Sequence, residues 1–283
     1  MPEFAALEPV DYLVFGHLSV DLTPAGPRLG GTVSYSGLAA RALGMRVGIV
    51  TSAAPDAPLD ELAGIPLVTV PASHSTTFEN IPAPEGRRQV IHGRAEPLLL
   101  EHIPAAWRTA PILHLAPLAQ EFPPAVASKV SASLVGLTPQ GWMRAWDEQG
   151  HIRHIPLHGA DQFLPHISAM ILSLEDVNGD LERIEYFAHH TRLLAVTEAE
   201  GGSVLYWNGD RRRFRAPKVE EIDATGAGDI YAAAFFVRLY TTRDPWEAAR
   251  FATHFAACSV TRRGLDGIPT QSEIQACMTE VLF

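Results

Sequence analysis

The sequence predicts an α/β protein with a mainly parallel central sheet, and three observations lead to that prediction. Short apolar runs recur along the chain, separated by segments of helix or loop length. The early stretch "GGTVSYSGLAARALGMRVGIVTS" joins a glycine turn, a helix-like segment and a strand-like segment. A β-type hairpin at about residues 75 to 92 interrupts this alternation. We therefore expect helices over a parallel sheet, and a small β segment that could act as a lid.

The N-terminal third predicts a β-turn-α-β unit. Tyr12 to Phe15 form the first expected strand, and Val47 to Val50 form the next. Between them, Gly30-Gly31 lead into a helix that ends near Gly44. The segments "STTFENIP" and "RRQVIHGRA", on either side of "APEG", then predict the two strands of the hairpin.

The remaining chain continues the alternation of strands and helices. Ile230 to Tyr240 are mostly apolar, as in a helix buried in the core. "RRRFR" at 211–215 follows the turn "WNGD" and predicts an exposed hairpin. We find no internal repeat or linker and expect a single domain over 1–283, with a lid formed by about 15–35 and 68–98. Four further apolar runs predict strands: "ILHLAPL", "SLVGLTP", "AMILSLED" and "LLAVTEAEGG".

Composition limits the class of protein. With 283 residues and 47% hydrophobic residues, the chain can form a large core. A net charge of −10 argues against a broad surface for nucleic acid or anionic membrane. No signal-peptide pattern and no apolar run of about 18 residues is found, so we expect a cytoplasmic protein. Cys258 and Cys277 are expected to be reduced thiols.

One short stretch carries the chemistry, "EIDATGAGDIYAAAFF" at 221–236. The N–H groups of Gly226, Ala227 and Gly228 would converge at a helix N-terminus, where a phosphate oxygen can bind. Asp229 follows directly and could accept a proton from a hydroxyl that attacks a phosphoryl group. The structural alternative is that Asp229 only complements the helix dipole and that the glycines form a tight turn.

"DATGAGD" resembles the D-x-T-G-A-G-D signature of the ribokinase-like, or PfkB, carbohydrate kinase family. The other segments that resemble the family follow in family order: "GHLSVDL", Gly30-Gly31, a β lid segment, "TEAEGG" and "AARFATHFAACSVTRRG". The resemblance implies a ribokinase-like three-layer sandwich with a mainly parallel central sheet and a small β lid. It also implies that Asp229 is the catalytic base and that Gly226 to Gly228 form the anion hole.

The same resemblance implies the substrate site. Asp21 would hydrogen-bond a substrate hydroxyl, while Gly30 and Gly31 would form the hinge and floor of the pocket. Tyr35 falls where the family usually has an asparagine, so a phenol replaces an amide. This change argues against ribose and favours a cyclic polyol such as an inositol. Arg87 and Arg88 in the lid are candidate contacts to substrate or phosphate.

The resemblance further implies ATP and Mg²⁺ as cofactors. Thr197, Gly201 and Gly202 match the family's T-x-G-x-x-G turn in part, because Glu198 and Ala199 depart from it, and Thr225 is assigned to the nucleotide as well. Asp176, in "SLED", falls where the family has an acid that helps to position Mg²⁺ through water. Asp223, Thr225 and the Arg263-Gly264 turn lie where some relatives bind a monovalent cation, so K⁺ is left open.

We therefore expect an ATP-dependent phosphotransferase acting on a hydroxyl of a sugar or cyclic polyol, as a monomer or homodimer without nucleic-acid or membrane partners. A nucleoside kinase and a catalytically weak sugar- or nucleotide-binding regulatory relative are the alternatives. The sequence contains no P-loop or dinucleotide-binding motif. His151, His154 and His158 have a metal-like spacing, but the first two would point to opposite faces of a strand.

Overall fold

The structure is a computed structural model that describes residues 7–83 and 86–278. Its helices are α1 (Thr32–Ala42), α2 (Ala160–Phe163), α3 (Leu181–His190), α4 (Ala227–Thr242), α5 (Pro245–Ser259) and α6 (Gln271–Met278). Its strands are β1 (Tyr12–Phe15), β2 (Ser19–Thr23), β3 (Gly26–Gly30), β4 (Val47–Ala53), β5 (Leu67–Pro71), β6 (Thr77–Ala83), β7 (Gly86–Gly93), β8 (Ile112–Leu115), β9 (Leu134–Leu137), β10 (Arg144–Trp146), β11 (Ile152–His154), β12 (Ala169–Ser173), β13 (Leu193–Thr197), β14 (Ser203–Trp207) and β15 (Asp210–Phe214).

The central sheet has nine strands in the order β15-β14-β13-β12-β9-β8-β1-β4-β5. Neighbouring strands from β13 to β5 pair in parallel, whereas β14 and β15 extend the sheet as an antiparallel hairpin. β1 lies between β4 and β8, with Tyr12 opposite Val47 and Ile112. The predicted mainly parallel sheet is therefore confirmed, as is the exposed hairpin at β15.

The central strands of the sheet are buried on both faces, which explains why they are apolar runs without alternation. Every residue of β1 and of β4 is buried. One hydrophobic cluster joins the sheet to α1, α4 and α5, and a second cluster lies on the opposite face under α2 and α3. α4 is apolar around its whole circumference because it packs against α1, α5 and the sheet at once. The layers form the predicted three-layer sandwich.

A second, four-stranded sheet stands apart from the first, in the order β3-β2-β6-β7. β6 and β7 pair antiparallel and confirm the predicted hairpin, whose turn at 84 and 85 lies outside the described residues. β2 pairs in parallel with β6, which joins two distant parts of the chain. Phe78 and Ile91 of this sheet pack on Leu118 and Ala119 of the main body.

A buried carboxylate ties the two sheets together where the chain passes from β1 to β2. Glu121 accepts hydrogen bonds from the backbone N–H groups of His17 at 2.7 Å, Leu118 at 3.0 Å and Ala119 at 2.8 Å. Glu121 is 1% exposed, so these donors replace the water that its oxygens lose on burial. Buried hydrogen bonds thus fix this part of the chain. Among the described helices, none has the length and apolar character needed to cross a membrane.

Candidate active site

A cavity of about 1270 Å³ opens at the carboxyl ends of the central strands, below the small sheet. Thr138 after β9, Ser173 of β12 and Thr197 of β13 form its floor. Ligands of open parallel sheets bind at this edge, because the strand ends and the following loops converge there. The lining residues divide the cavity into two halves, one below the small sheet and one between β13 and α5.

The first turn of α4 lies where the two halves meet. Gly226 caps the helix with φ 77°, and a Cβ there would overlap the Tyr35 ring, so both the backbone angle and the contact require glycine. A Cβ on Gly228 would meet nothing within 4 Å, so its missing side chain leaves the backbone open to the cavity. The Ala227 N–H donates to the Ala224 carbonyl at 3.2 Å and closes the turn. The amides of Gly226 and Gly228 are thus the better placed of the three for an anion.

Asp229, in the same turn, faces the cavity at this junction. Burial raises the pKa of Asp229 from its ordinary 3.8 to about 6, while a hydrogen bond from Thr32 and the positive charge of Arg144 act in the opposite direction. Asp176 and Asp21 add a smaller upward contribution to this pKa. A carboxyl with a pKa near 6 is ionised at neutral pH and is a stronger base than a free aspartate, as general-base catalysis requires.

α1 supports this turn through three contacts. The side chain of Thr32 hydrogen-bonds the Asp229 carboxylate. The Tyr35 ring packs under Gly226, and Ser36 Oγ donates to the backbone carbonyl of Asp229 at 2.8 Å. The N-terminal part of α1 therefore supports both the Gly226 turn and Asp229.

The half of the cavity below the small sheet is polar. Asp21 of β2 accepts a hydrogen bond from Ser19 Oγ at 2.9 Å. A Cβ on Gly30 would overlap the Asp21 carboxylate, so glycine at this position makes room for that side chain. Asn80 and Gln89 line the same half and hydrogen-bond each other at 3.1 Å. Together these oxygen and nitrogen atoms suit a ligand with several hydroxyl groups.

Tyr35 lies between the cavity and the first turn of α4. It lines the cavity, but it is only 3% exposed because the ring lies against the Gly226 turn. Burial and the nearby carboxylates of Asp21 and Asp229 raise the pKa of its phenol, which is therefore neutral. The ring thus packs against the Gly226 turn and also borders the cavity.

Arg144 is a functional candidate that the sequence analysis missed. It begins β10, a short strand paired with β11, and lines the polar half of the cavity. Its guanidinium lies 5.5 Å from the centre of the Phe78 ring and donates to the Leu118 carbonyl at 3.4 Å. No local motif marks this arginine, since only the tertiary fold brings it close enough to lower the pKa of Asp229.

The other half of the cavity begins at the turn after β13, which includes Thr197, Gly201 and Gly202. Gly202 has φ 89°, and a Cβ there would overlap the Phe214 carbonyl oxygen. Ala199, which stands where the family pattern has glycine, adopts the left-handed region with φ 48°. Beyond the turn the wall includes the charged residues Lys218 and Glu221 and the apolar residues Ala216, Pro217, Val219, Ala256, Ala257 and Val260.

Glu198, the other departure from the family pattern in this turn, forms an ion pair with Arg213 of β15. Its backbone N–H also donates to the Gly202 carbonyl at 2.8 Å, which closes the turn. The acid is therefore tied to the antiparallel hairpin. This ion pair neutralises part of the negative charge that an acid would otherwise place near a bound nucleotide.

Asp223 joins the α4 turn to the loop before α6. Its two carboxylate oxygens accept hydrogen bonds from the backbone N–H groups of Thr225 and Gly264, each at 2.9 Å. Burial alone would raise the pKa of Asp223, but these hydrogen bonds outweigh it and lower the pKa below its ordinary value. Thr225 thereby lines the cavity in a fixed orientation.

Asp176 also lines the cavity, at the end of β12. Its carboxylate accepts hydrogen bonds from Ser173 N and from Gln140 Nε2, both at 2.8 Å. In the described part of the chain, no group of three or more His, Cys, Asp or Glu side chains is arranged to hold a metal ion. The Asp176 carboxylate is an oxygen ligand of the type that Mg²⁺ takes in proteins.

Of the other candidates from the sequence, Arg88 and His151 lie away from the cavity. Arg88 is exposed and does not line it, and the side chain of Arg87 lies outside the described part of the structure. His151 pairs with Asp147 at the surface. Cys258 and Cys277 are free thiols, as expected.

Comparison with known proteins agrees with this architecture. The profile of the pfkB family carbohydrate kinases matches residues 168–271. A pyrophosphate-dependent kinase in the ribokinase family, solved with a pyrophosphate analog and myo-inositol, superimposes with a TM-score of 0.76 and 18% identity over 94% of this chain and 100% of that one. Arabidopsis thaliana ribokinase, complexed with ribose and ATP, gives a TM-score of 0.67 and 16% identity over 97% and 100%. Residues 168–271 thus match the pfkB family carbohydrate kinases, and the fold is that of ribokinase-family kinases.

Curated PfkB relatives match over a shorter segment. A 5-dehydro-2-deoxygluconokinase from Bacillus cereus is 28% identical over 110 residues, or 38% of this chain and 33% of that protein. Inositol 3-kinase from Oryza sativa subsp. japonica is 29% identical over 132 residues, or 44% of this chain and 32% of that protein. The match thus spans about a third of the length of these curated relatives. Their names include a sugar-acid kinase and a polyol kinase.

Proposed function

We propose that this protein transfers the terminal phosphoryl group of ATP to a hydroxyl of a sugar or cyclic polyol. The observation that carries the proposal is the position of Asp229, next to the glycine amides of the α4 turn and facing the polar half of the cavity. A turn that carries both a base and backbone N–H groups for an anion can activate a hydroxyl. It can also hold the phosphoryl group that the hydroxyl attacks.

In the proposed reaction, the acceptor hydroxyl gives its proton to the Asp229 carboxylate. The acceptor oxygen forms a bond to the terminal phosphorus as the bond from phosphorus to the ADP oxygen breaks. The amides of the α4 turn, those of Gly226 and Gly228 foremost, hold the charge on the transferred group, and Arg144 of β10 adds a positive charge. Mg²⁺, when bound, would neutralise charge on the phosphate oxygens. Asp176, at the end of β12, would be the partner that the protein offers to the ion.

The polar half supports a neutral polyol as the leading acceptor. Asp21 can accept hydrogen bonds from two hydroxyl groups, while Asn80 and Gln89 can both donate and accept hydrogen bonds. The solved neighbour with myo-inositol and the inositol 3-kinase support this choice. A sugar acid is the second candidate, because the guanidinium of Arg144 lines this half and the Bacillus cereus relative is named for a sugar acid.

The other half supports a nucleotide as the phosphoryl donor. The apolar wall from Ala216 to Val219 and from Ala256 to Val260 offers a surface that an adenine can cover and a pyrophosphate cannot. Glu200, Lys218 and Glu221 also line this part of the cavity, so the charges around it are mixed. Pyrophosphate, on which one solved neighbour depends, is therefore the second candidate donor.

A donor and acceptor panel tests the proposal. ADP release is measured with ATP and Mg²⁺ against myo-inositol, ribose, 5-dehydro-2-deoxygluconate and adenosine, and phosphate release is measured with pyrophosphate in place of ATP. We expect ATP to be the donor and myo-inositol to exceed ribose in kcat/KM. Turnover of adenosine alone would favour the nucleoside kinase, and saturable binding without turnover would favour the regulatory relative.

A further inference from the structure

A row of hydrogen-bonded side chains crosses the central sheet and ends at the cavity. We propose that Tyr12 and His114 hold the hydroxyl of Thr138 as a hydrogen-bond donor to an oxygen of the phosphoryl group that is transferred. The inference rests on the proposed function, because it adds a contact to the group that ATP donates. Thr138 would bind the ligand directly, whereas Tyr12 and His114 would be positioning residues.

Three neighbouring strands set the geometry of this row. Tyr12 Oη lies 3.0 Å from His114 Nδ1, and His114 Nε2 lies 3.0 Å from Thr138 Oγ1. Tyr12 of β1 and Thr138, directly after β9, thus contact His114 of β8 from its two sides. Tyr12 and His114 are fully buried, while Thr138 is 8% exposed and lines the cavity. The row therefore leads from the core to the floor of the cavity.

The phenol of Tyr12 decides the direction of both hydrogen bonds. Within residues 7–83 and 86–278, its hydrogen-bond partner is His114 Nδ1. A buried O–H group that fails to donate costs free energy, so the phenol donates to Nδ1. Burial lowers the pKa of His114 to about 3, so the ring is neutral and its one hydrogen is on Nε2. Nε2 therefore donates to Thr138 Oγ1.

The hydroxyl hydrogen of Thr138 is thereby left for the cavity. Its oxygen accepts from His114, and the described part of the chain offers this hydroxyl no second hydrogen-bond partner. A hydroxyl that is held as a donor favours a ligand atom that only accepts hydrogen bonds. Phosphate oxygens are atoms of this kind, and their charge strengthens the hydrogen bond.

The end of β9 lies where the two halves of the cavity meet. In the sheet, β9 stands between β12 and β13 on one side and β8 and β1 on the other, and β1 leads into the small sheet. Thr138 shares a face with Gly136, which packs against Phe236 of α4, so its side chain lies on the α4 side. The transferred group would then be contacted by Thr138 from the sheet and by the α4 amides from the helix.

Tyr12 would act on the ligand from outside the cavity, because it is not among the lining residues. Without its phenol, either ring nitrogen of His114 could carry the hydrogen. With the hydrogen on Nδ1, Nε2 would accept from Thr138, whose hydroxyl would then turn away from the ligand. A phenol with a purely structural role would leave ligand binding unchanged.

Long-range ¹H–¹⁵N NMR of the full chain with labelled histidine shows which nitrogen of His114 carries the hydrogen. The signal is assigned by its loss in His114→Gln. We expect the hydrogen on Nε2 in the wild-type chain and both forms in Tyr12→Phe. A hydrogen on Nδ1 in the wild-type chain would overturn the inference.

Calorimetry with Mg²⁺ compares ADP with AMP-PNP, an ATP analogue that keeps the terminal phosphoryl group and is not hydrolysed. Thr138→Val keeps the shape of the side chain and should weaken AMP-PNP binding by about tenfold, while ADP binding changes by less than about twofold. Thr138→Ser should recover the affinity. Tyr12→Phe should weaken AMP-PNP by about threefold, because only part of the population is misdirected. Imidodiphosphate, the matching analogue of pyrophosphate, should follow AMP-PNP.

Thr76→Val is the matched control, because Thr76 is a fully buried threonine that hydrogen-bonds a buried histidine, His17, away from the cavity lining. It should lower stability and leave AMP-PNP binding unchanged. Unchanged AMP-PNP binding in folded Thr138→Val would overturn the inference, as would an equal loss for ADP or wild-type affinity in Tyr12→Phe. These measurements need no acceptor, so absence of turnover on every acceptor would count against the proposed function and not against the role of Thr138.

Discussion

Replacing Asp229 by asparagine is expected to stabilise the protein while it removes the catalytic base. The native pKa of about 6 lies above the ordinary 3.8, so the folded state binds this proton more tightly than the unfolded state does. Its contribution to stability is therefore complete below pH 3.8 and is lost as the pH rises through 6. Above that range the folded protein carries a buried charge that it holds less well than water does.

The magnitude follows from the difference between the two pKa values. The two pKa values of Asp229 differ by about 2.2, and each pH unit corresponds to 1.36 kcal/mol. The ionised carboxylate therefore destabilises the folded state by roughly 3 kcal/mol near pH 7.5 and by about 1 kcal/mol at pH 4.5. Asparagine keeps an amide oxygen for the Thr32 hydroxyl and never ionises. Asp229→Asn should thus raise the free energy of unfolding by up to about 3 kcal/mol at pH 7.5, with a smaller gain at pH 4.5.

Urea unfolding at the two pH values, read by circular dichroism, measures this difference. In the same preparations, kcat on the best acceptor should fall by roughly 10²-fold to 10⁴-fold. Asp223→Asn is a useful contrast: the pKa of Asp223 is lowered, so its ionised form stabilises the fold and its neutralisation should destabilise it at pH 7.5. A change of stability in Asp229→Asn that is the same at both pH values would refute the reasoning.

Two further predictions concern backbone conformation. Gly226→Ala should lower Tm by several degrees because of its positive φ and the contact with Tyr35, whereas Gly228→Ala should leave Tm nearly unchanged and weaken ATP binding in calorimetry. Equal Tm changes would contradict the distinction. Ala199→Gly should raise the free energy of unfolding by about 0.5 to 1 kcal/mol in urea, because φ 48° strains alanine, while Ala188→Gly within α3 should lower it by about 1 kcal/mol. A loss of stability in Ala199→Gly would show that the turn is not strained.

Much of the fold could be predicted because its signals are local. The apolar run from Tyr12 to Phe15 predicts a strand, because a buried parallel strand must be apolar on both faces. The hairpin at 77–93 is predicted by its two β-type segments and the turn residues between them. The apolar run after Asp229 likewise indicates a helix enclosed by the core. In each case, the residues that carry the pattern also form the element.

The parts of the site that could not be predicted depend on contacts between distant segments. The contact of Thr32 with Asp229 and that of Ser36 with the same residue join segments far apart in the chain, and no periodicity reports them. Arg144 lies in a strand of three residues with no motif. The position of Tyr35 against Gly226 follows from the packing of α1 on α4, since a count of residues after a glycine pair gives no side-chain orientation.

The chain passes directly from β3 into α1, and this connection bears on the hydrolysis of ATP in the absence of an acceptor. Only Gly31 separates the end of β3 from α1, so Gly30, which lies beside Asp21, and Ser36, which holds the Asp229 backbone, lie on one uninterrupted piece of backbone. In the proposed reaction, an acceptor that hydrogen-bonds Asp21 also contacts the connection from β3 to α1, the helix that holds the Asp229 backbone. Water is too small to do both at once. The same joint would therefore protect ATP from being hydrolysed when no acceptor is bound.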